Sequence, residues 1–281
     1  MDHRIRGHKR RVGILGFGKL GKFLASKISE SNSFELAFVW NRTASAFDES
    51  VDSSLILDSI DDFKSKKPDI VVEVAHPSVT KIYGKHILEY CDYMIGSPTA
   101  LCDENLLEDL KVAAAVNTLY IPSGALWGGE DIRKMSDSGI LESLCVTMKK
   151  HPDSLKLEGY LKDKNAEVKE KASVLYKGCV RNVCELAPHN TNTMAAAALA
   201  APNLGFKGVT GCLVSDPSLV DYHIVEIEGF GAAKADGTRF QVHTIRKNPS
   251  KIGEVTGFAT SAAFIGSLQN AVAKGPGIHL C

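Results

Sequence analysis

The sequence predicts an α/β protein with a doubly wound parallel sheet, followed by a second α+β domain whose sheet is mixed or antiparallel. Three observations predict it. A short apolar run, "RVGIL", ends in a glycine-rich turn and continues into residues with helical spacing. Strand-like and helix-like segments then alternate up to about residue 121, the pattern of a parallel sheet covered on both faces. Beyond "IPSGALWGGED" the text changes to longer runs that alternate apolar and polar residues, as strands with one buried face do.

Taken in order, the first strand leads through the turn to a helix whose apolar positions are Leu20, Phe23, Leu24 and Ile28. "FELAFVW" and "DIVVEVA" are the next strands, then a helix from Pro77 toward Tyr90, a strand in "DYMIGS", a helix over Glu104 to Val116, and a strand in "TLYIP". The second half opens with a helix and continues with five strands, in "GILESLCVTMKK", "ASVLYKG", "VTGCLVSD", "YHIVEIEGFG" and "TRFQVHTIRK". The last segment, "EVTGFATSAAFIGSLQNAVAK", returns to helical periodicity and is expected to pack on the first domain. The expected division is a dinucleotide-binding Rossmann domain over 1–122, completed by a C-terminal helix within 250–281. Residues 123–249 form the substrate, catalytic and oligomerisation domain.

A chain of 281 residues fits two domains at roughly 150 residues each. With 33 basic and 33 acidic residues there is no net field to recruit nucleic acid or a membrane surface, so a small molecule is the expected ligand. The longest apolar stretch, "MAAAALAAP", is far short of the ~20 residues of a membrane span. "MDHRIRGHKRR" lacks the apolar core of a signal peptide, and the expected location is the cytoplasm. Those first eleven residues read as a solvated terminus. Seven cysteines without a CxxC pair suggest reduced thiols, with no metal site and no disulfide framework. Neither HExxH nor GxSxG occurs.

Gly16, Gly18 and Gly21 give the GxGxxG spacing in the context that carries its meaning, after a strand and at a helix start. Gly16 allows the tight turn, Gly18 the approach of a pyrophosphate, and Gly21 close packing of helix on sheet. The N–H groups from Phe17 through Lys19 and Leu20 face the phosphates. At the end of the second strand, where an acid would hold the ribose of NAD, stand Asn41 and Arg42. Asn41 can hydrogen-bond a hydroxyl. Arg42 can pair with a 2′-phosphate, and NADP is therefore accepted, with NAD as a second possibility; alternatively Arg42 is a solvated cation. Ala75, His76 and Pro77 end one strand and open a helix, the place where open sheets meet a ligand.

Three stretches of the second half belong together. In "IPSGALWGGEDI" a strand end passes into a helix through Ser123 and Gly124, which offers N–H groups to a carboxylate or carboxamide. In "APHNTNTMAAAALAA" Asn190 and Asn192 precede an alanine-rich helix; alone they are helix caps. In "DPSLVDYHIVEIEGFG" His223 enters a strand; alone it is a strand-end histidine satisfied by a carbonyl.

Together with the glycine loop, Pro122-Ser123-Gly124-Ala125, Asn190-Thr191-Asn192 and Asp216-Pro217 followed by His223 resemble the L-aspartate dehydrogenase family over nearly the whole chain. The chain departs from that pattern at Asp221-Tyr222 and at Met194. The resemblance implies that His223 is the acid/base of the reaction, and that Ala125 and an asparagine of the pair, Asn192 by the count from His223, touch the nicotinamide nucleotide. It implies NAD(P)-dependent, reversible oxidative deamination of L-aspartate to iminoaspartate, then oxaloacetate and ammonia, with a link to NAD synthesis. Imidazole, with an ordinary pKa near ~6.5, suits proton exchange near neutrality. His223 is expected to face the reacting carbon in a cleft between domains. Ser123, Gly124 and His189, and less directly Lys177 and Arg181, are the candidate carboxylate donors. A homodimer is expected from the commonness of twofold assemblies. Two alternatives stay open: a related two-domain NAD(P) reductase of another small acid, and a catalytically inactive NADP-binding redox sensor.

Overall fold

The structure, a computed structural model, describes residues 9–47, 51–272 and 274–281. Residues 1–8 of the basic N-terminal stretch lie outside the described residues. Arg10 and Arg11, at the end of that stretch, are not a solvated arm. They begin a strand, where Arg10 pairs with Asp92 at 2.6 Å and the Arg11 N–H donates to the Asp69 carboxylate at 2.7 Å.

Compactness divides the chain into two units. The first comprises 1–97, 108–120 and 271–279, the second 98–107, 121–270 and 280–281. This differs from the expected division at the C-terminus. The helix over Phe258–Asn270 groups with the second unit, and what returns to the first is a short strand, Gly277–Leu280. Its four residues carry no alternating pattern, so no periodicity announced it.

The first unit is built on β1 (Arg10–Leu15), α1 (Lys19–Ser29), β2 (Phe34–Trp40), β3 (Ile70–Glu73), α2 (Pro77–Leu88), β4 (Asp92–Ile95), α3 (Glu104–Ala113) and β5 (Thr118–Ile121). The strand order is β2, β1, β3, β4, β5, with Gly277–Leu280 at the edge beside β5, and β1 to β5 run parallel. Val12, Ile14, Leu15, Ile70, Val71, Val72, Met94 and Ile95 are essentially inaccessible, which is why these strands read as continuous apolar runs. The chain leaves β1 for β2 on one side and returns to β3 on the other. The ends of β1 and β3 therefore flank the switch point where open sheets bind ligands.

The second unit holds α4 (Gly129–Asp137), β6 (Leu141–Lys150), α5 (Tyr160–Ala166), β7 (Ser173–Cys179), α6 (Val180–Cys184), α7 (Asn192–Ala200), α8 (Gly205–Gly208), β8 (Thr210–Ser215), β9 (Tyr222–Gly231), β10 (Gln241–Pro249) and α9 (Phe258–Asn270). Its strand order is β10, β9, β6, β8, β7. Only the β6–β8 ladder is parallel, so the sheet is mixed. Period-two sidedness is clean here: Leu144, Val146 and Met148 of β6 and Val225 and Ile227 of β9 are buried, while Lys149 and Glu226 face the other way and pair at 2.7 Å. Helices α4 and α7 contact β6, and α6 contacts β8, on the buried side. The alanines of α7 are buried on every side, and their small volume lets α4, α6 and α8 approach at once. All seven cysteines are free thiols, four of them buried. No helix among the described residues is long and apolar enough to cross a membrane.

Candidate active site

The glycine loop of the first unit has the shape its spacing predicts. Gly16 sits at φ +107°, a region closed to other residues, and a Cβ there would lie 2.8 Å from the backbone of Ala75. A Cβ on Gly21 would lie 2.0 Å from the carbonyl oxygen of Gly16, so α1 can rest on the turn only without one. At Gly18 the same construction meets nothing within 4 Å: the space above the loop is open, as a cradle for a pyrophosphate requires. Gly18, which has no side chain, is the N-cap of α1, so the cap residue itself makes no side-chain bond to the first turn. These residues fit a dinucleotide.

The residues around the loop divide into holders and free groups. Asn41 accepts the Phe17 N–H at 3.0 Å and donates to the Thr43 carbonyl at 3.0 Å, so its amide shapes the loop rather than standing free for a ribose hydroxyl. Arg42 is exposed at the end of β2 with no ion pair among the described residues. His76 caps α2, its Nδ1 accepting the Ser78 N–H at 3.1 Å, and Pro77 follows as the first helical residue.

Glu73 is absent from the candidates the sequence suggests. It is fully buried at the end of β3 and accepts from the Ala75 N–H at 2.7 Å and from the Ser97 N–H and hydroxyl at 3.0 and 3.1 Å. Burial raises its pKa to about 7 against the lowering effect of these bonds. An acid inside an otherwise apolar parallel strand was the signal that could have found it.

In the second unit the helix does not begin at Ser123 and Gly124. It begins at Gly129, after Gly128 in the left-handed region. Two glycines with positive φ, Gly124 and Gly128, keep the chain in a turn between them, and the Ser123 N–H is taken by the carbonyl of Cys281 at 2.8 Å. The expected carboxylate-binding N–H groups at 123 and 124 are therefore not those of a helix start. Ala125 is buried in this turn, and the Gly124 carbonyl accepts from Arg246 at 3.2 Å.

Asn190 and Asn192 have different jobs. Asn190 is buried, accepts the Lys156 N–H at 2.7 Å and donates to the Ser154 carbonyl at 3.1 Å, fastening a loop. Asn192 is the first residue of α7 and caps nothing; its Oδ1 is buried without a partner among the described residues. His189 is half-buried in the turn before it. Lys177 is exposed on the face opposite the helices, and Arg181 is spent on Glu104 at 3.0 Å. Neither belongs to the polar row that holds His223.

His223 is 6% exposed, on the helix-covered face at the start of β9. Across β10 its partner is Asn248, 3% exposed. On the other side the register pairs Lys149 with Ile224, and one step further sets Lys150, 4% exposed, opposite His223. The row continues to Ser215 of β8, which bonds Asn165. Lys150 Nζ donates to the Val255 carbonyl at 2.8 Å and forms no ion pair among the described residues. Nε2 of His223 and Oδ1 of Asn248 have no hydrogen-bond partner among those residues either. Burial, then the Lys150 charge, pulls the His223 pKa down to about 4, against smaller upward effects of the Glu254 charge and a Glu254 backbone hydrogen bond. Burial alone lowers Lys150 to about 8. Alternation from Leu144 through Met148 would have placed Lys150 on the buried face; nothing local distinguished Asn248.

Known proteins share both units. Residues 131–270 match the family model described as aspartate dehydrogenase, C-terminal, and residues 16–122 that of the homoserine dehydrogenase NAD-binding domain. An aspartate dehydrogenase domain-containing protein of Danio rerio is 48% identical over 276 residues, 96% of this chain and 98% of that one. A protein of the same description from Xenopus tropicalis is 47% identical, covering 97% and 98%. An L-aspartate dehydrogenase of Nitrosopumilus maritimus is 30% identical over 79% of this chain and 84% of its own. Among solved structures, the aspartate dehydrogenase of Thermotoga maritima superposes with a TM-score of 0.66 over 95% of this chain and 98% of that one. At 24% identity it shows the shared two-domain fold.

Proposed function

The chain belongs to the aspartate dehydrogenase family of nicotinamide-dependent oxidoreductases, and on that basis we propose that it catalyses the NAD(P)-dependent, reversible oxidative deamination of L-aspartate with His223 as the acid/base. The observation that carries this reading is the buried Nε2 of His223, without a partner among the described residues and held neutral at physiological pH.

When bound, the nicotinamide nucleotide supplies the hydride acceptor. The first turn of α1 behind its glycine cap and the open space over Gly18 would hold its pyrophosphate, and exposed Arg42 would pair with a 2′-phosphate, which supports acceptance of NADP beside NAD. His223 Nε2 accepts a proton from the α-ammonium of the amino acid, so that the nitrogen lone pair can form the C=N bond as the carbon is oxidised. Once that proton has passed to solvent, the imidazole Nε2 takes a proton from water as the water oxygen adds to that carbon, and returns it to the nitrogen that departs as ammonia. Burial excludes competing water and leaves the imidazole a weak base until the substrate's negative charge arrives. Asn192 Oδ1, buried and unpaired among the described residues, is the amide acceptor available to meet a polar group of the nucleotide or substrate.

A homodimer belongs to the same proposal. The face of the second sheet away from the helices leaves Ile245 and Val174 exposed among charges of both signs, which a second copy would cover.

The test is NADP and NAD reduction with L-aspartate, D-aspartate, glutamate and homoserine. L-Aspartate turnover that falls 10²- to 10⁴-fold in His223→Ala, with nucleotide affinity kept, is the expected result. Nucleotide binding with no turnover of any of the four would replace this reading with that of a sensor, and sedimentation as a monomer would remove the dimer.

A further inference from the structure

Three side chains from three adjacent strands end in a line on one face of the second sheet. Lys150 of β6, His223 of β9 and Asn248 of β10 occupy successive cross-strand positions, all more than nine-tenths buried. Cross-strand neighbours of this kind stand about 5 Å apart at Cβ. Burying three polar groups in one row is costly unless each is paired, and here each is left with unused capacity.

The unused capacities differ in kind. Lys150 is a cation with three N–H donors, of which one is used, on a backbone carbonyl; no carboxylate neutralises it among the described residues. His223 offers an unpartnered ring nitrogen, Nε2, and Asn248 offers a carbonyl acceptor at Oδ1. Read across the sheet, the row is donor cation, base, acceptor. An α-amino acid presents the complementary series: a carboxylate, the nitrogen-bearing carbon, and an amine with N–H groups to donate. A simple carboxylic acid matches only the Lys150 end, and an amine only the Asn248 end.

We propose that the row Lys150–His223–Asn248 is the element that recognises the substrate as an amino acid, with Lys150 binding a carboxylate and Asn248 accepting from the amine, so that the nitrogen is delivered to Nε2 of His223. This rests on the assignment of His223 as the acid/base, and extends it to substrate class and orientation. The lowering of the Lys150 pKa agrees with a charge whose counter-ion is the ligand: a carboxylate supplies the anion that the fold omits. The segment 250–257, which brings the Val255 carbonyl to Lys150 and a Glu254 backbone group to His223, fastens the end of the row through the bond of the Gly253 N–H to Ser154 at 3.1 Å.

The experiment uses the full chain and two probes, succinate, which has carboxylates and no amine, and L-aspartate. Calorimetry should show succinate binding that weakens about 10- to 100-fold in Lys150→Met and is unchanged in Asn248→Ala. L-Aspartate should show KM raised in both variants by about 10-fold or more, with NADP affinity unaltered. Lys150→Gln repeats the measurement should the methionine variant not fold. A crystal of the unaltered protein with succinate should place a carboxylate within about 3 Å of Lys150 Nζ.

Equal succinate affinity in wild type and both Lys150 variants, no succinate binding by wild type, or a carboxylate seated elsewhere overturns the proposal. If L-aspartate turns over with KM unchanged by Lys150→Met, the row fails while the dehydrogenase reading stands. If succinate binding depends on Lys150 yet L-aspartate does not react, the carboxylate site stands and the dehydrogenase reading fails.

Discussion

Asn248 stands directly opposite His223 across the β9–β10 ladder, and each ends in a buried polar atom that no group among the described residues satisfies. Two such atoms side by side cost folding free energy, of the order of 1–3 kcal/mol each when left unpaired. A protein retains them where a ligand completes them.

In the ligand-free chain the His223 imidazole should titrate with a midpoint of about 4. Its folded-state pKa lies below the ordinary 6.5, so the neutral ring holds from neutrality down to that midpoint, and stability declines as pH falls from about 6.5 to about 4 while only the unfolded chain takes the proton. NMR of the ring C–H signals reads this directly. In Lys150→Met the midpoint should rise, because the repelling cation is gone. A wild-type midpoint near the ordinary value would remove the buried neutral base.

Lys150 costs stability wherever it is charged in the folded state. Its pKa of about 8 lies below the ordinary 10.5, so the penalty is complete below about pH 8, and it is lifted as pH rises toward 10.5 and the unfolded chain also loses its proton. Lys150→Met should therefore melt at a higher temperature than wild type at pH 7, with the gap closing by about pH 10.5. Thermal melts across that range test it; a gap independent of pH contradicts the assignment.

The glycines of the loop should separate folding from cofactor binding. Gly21→Ala drives a methyl against the Gly16 carbonyl oxygen and is expected to destabilise by about 1–3 kcal/mol as well as weaken nucleotide binding. Gly18→Ala meets open space, so the melting temperature should hold while nucleotide affinity falls. Paired melting and binding curves distinguish the two, and loss of stability in Gly18→Ala would show that the space is not a cradle.

Arg42→Ala should weaken NADP more than NAD, since the exposed guanidinium has no competing anion among the described residues. The ratio of the two dissociation constants is the readout, and an unchanged ratio assigns cofactor choice elsewhere.

Much of the fold is legible in the amino-acid sequence. Strand, glycine turn and helix from Arg10 to Ser29 follow from local patterns, and so do the parallel strands, because a strand buried on both faces has to be apolar throughout. Alternation in β6 and β9 marks the buried side of the second sheet correctly. Three readings fail, two of them for reasons that are not local. The helix after Ser123 starts later, at Gly129, because Gly124 and Gly128 hold positive φ, which a helix does not admit. Asn190 and Asn192, two residues apart in the same motif, separate into a loop fastener and an unpaired amide by what surrounds each. The helix Phe258–Asn270 joins the second unit although its periodicity says only that it is helical.

Residue order alone settles the two kinds of sheet and the glycine turn between β1 and α1, because each depends on residues within a turn or a strand of one another, whereas His223 stands out only through the family resemblance. That Lys150 and Asn248 are the neighbours of that histidine is settled only by how the strands assemble. Ladder register joins positions far apart in the chain, and a side chain on a neighbouring strand leaves no trace in the periodicity of the segment it faces.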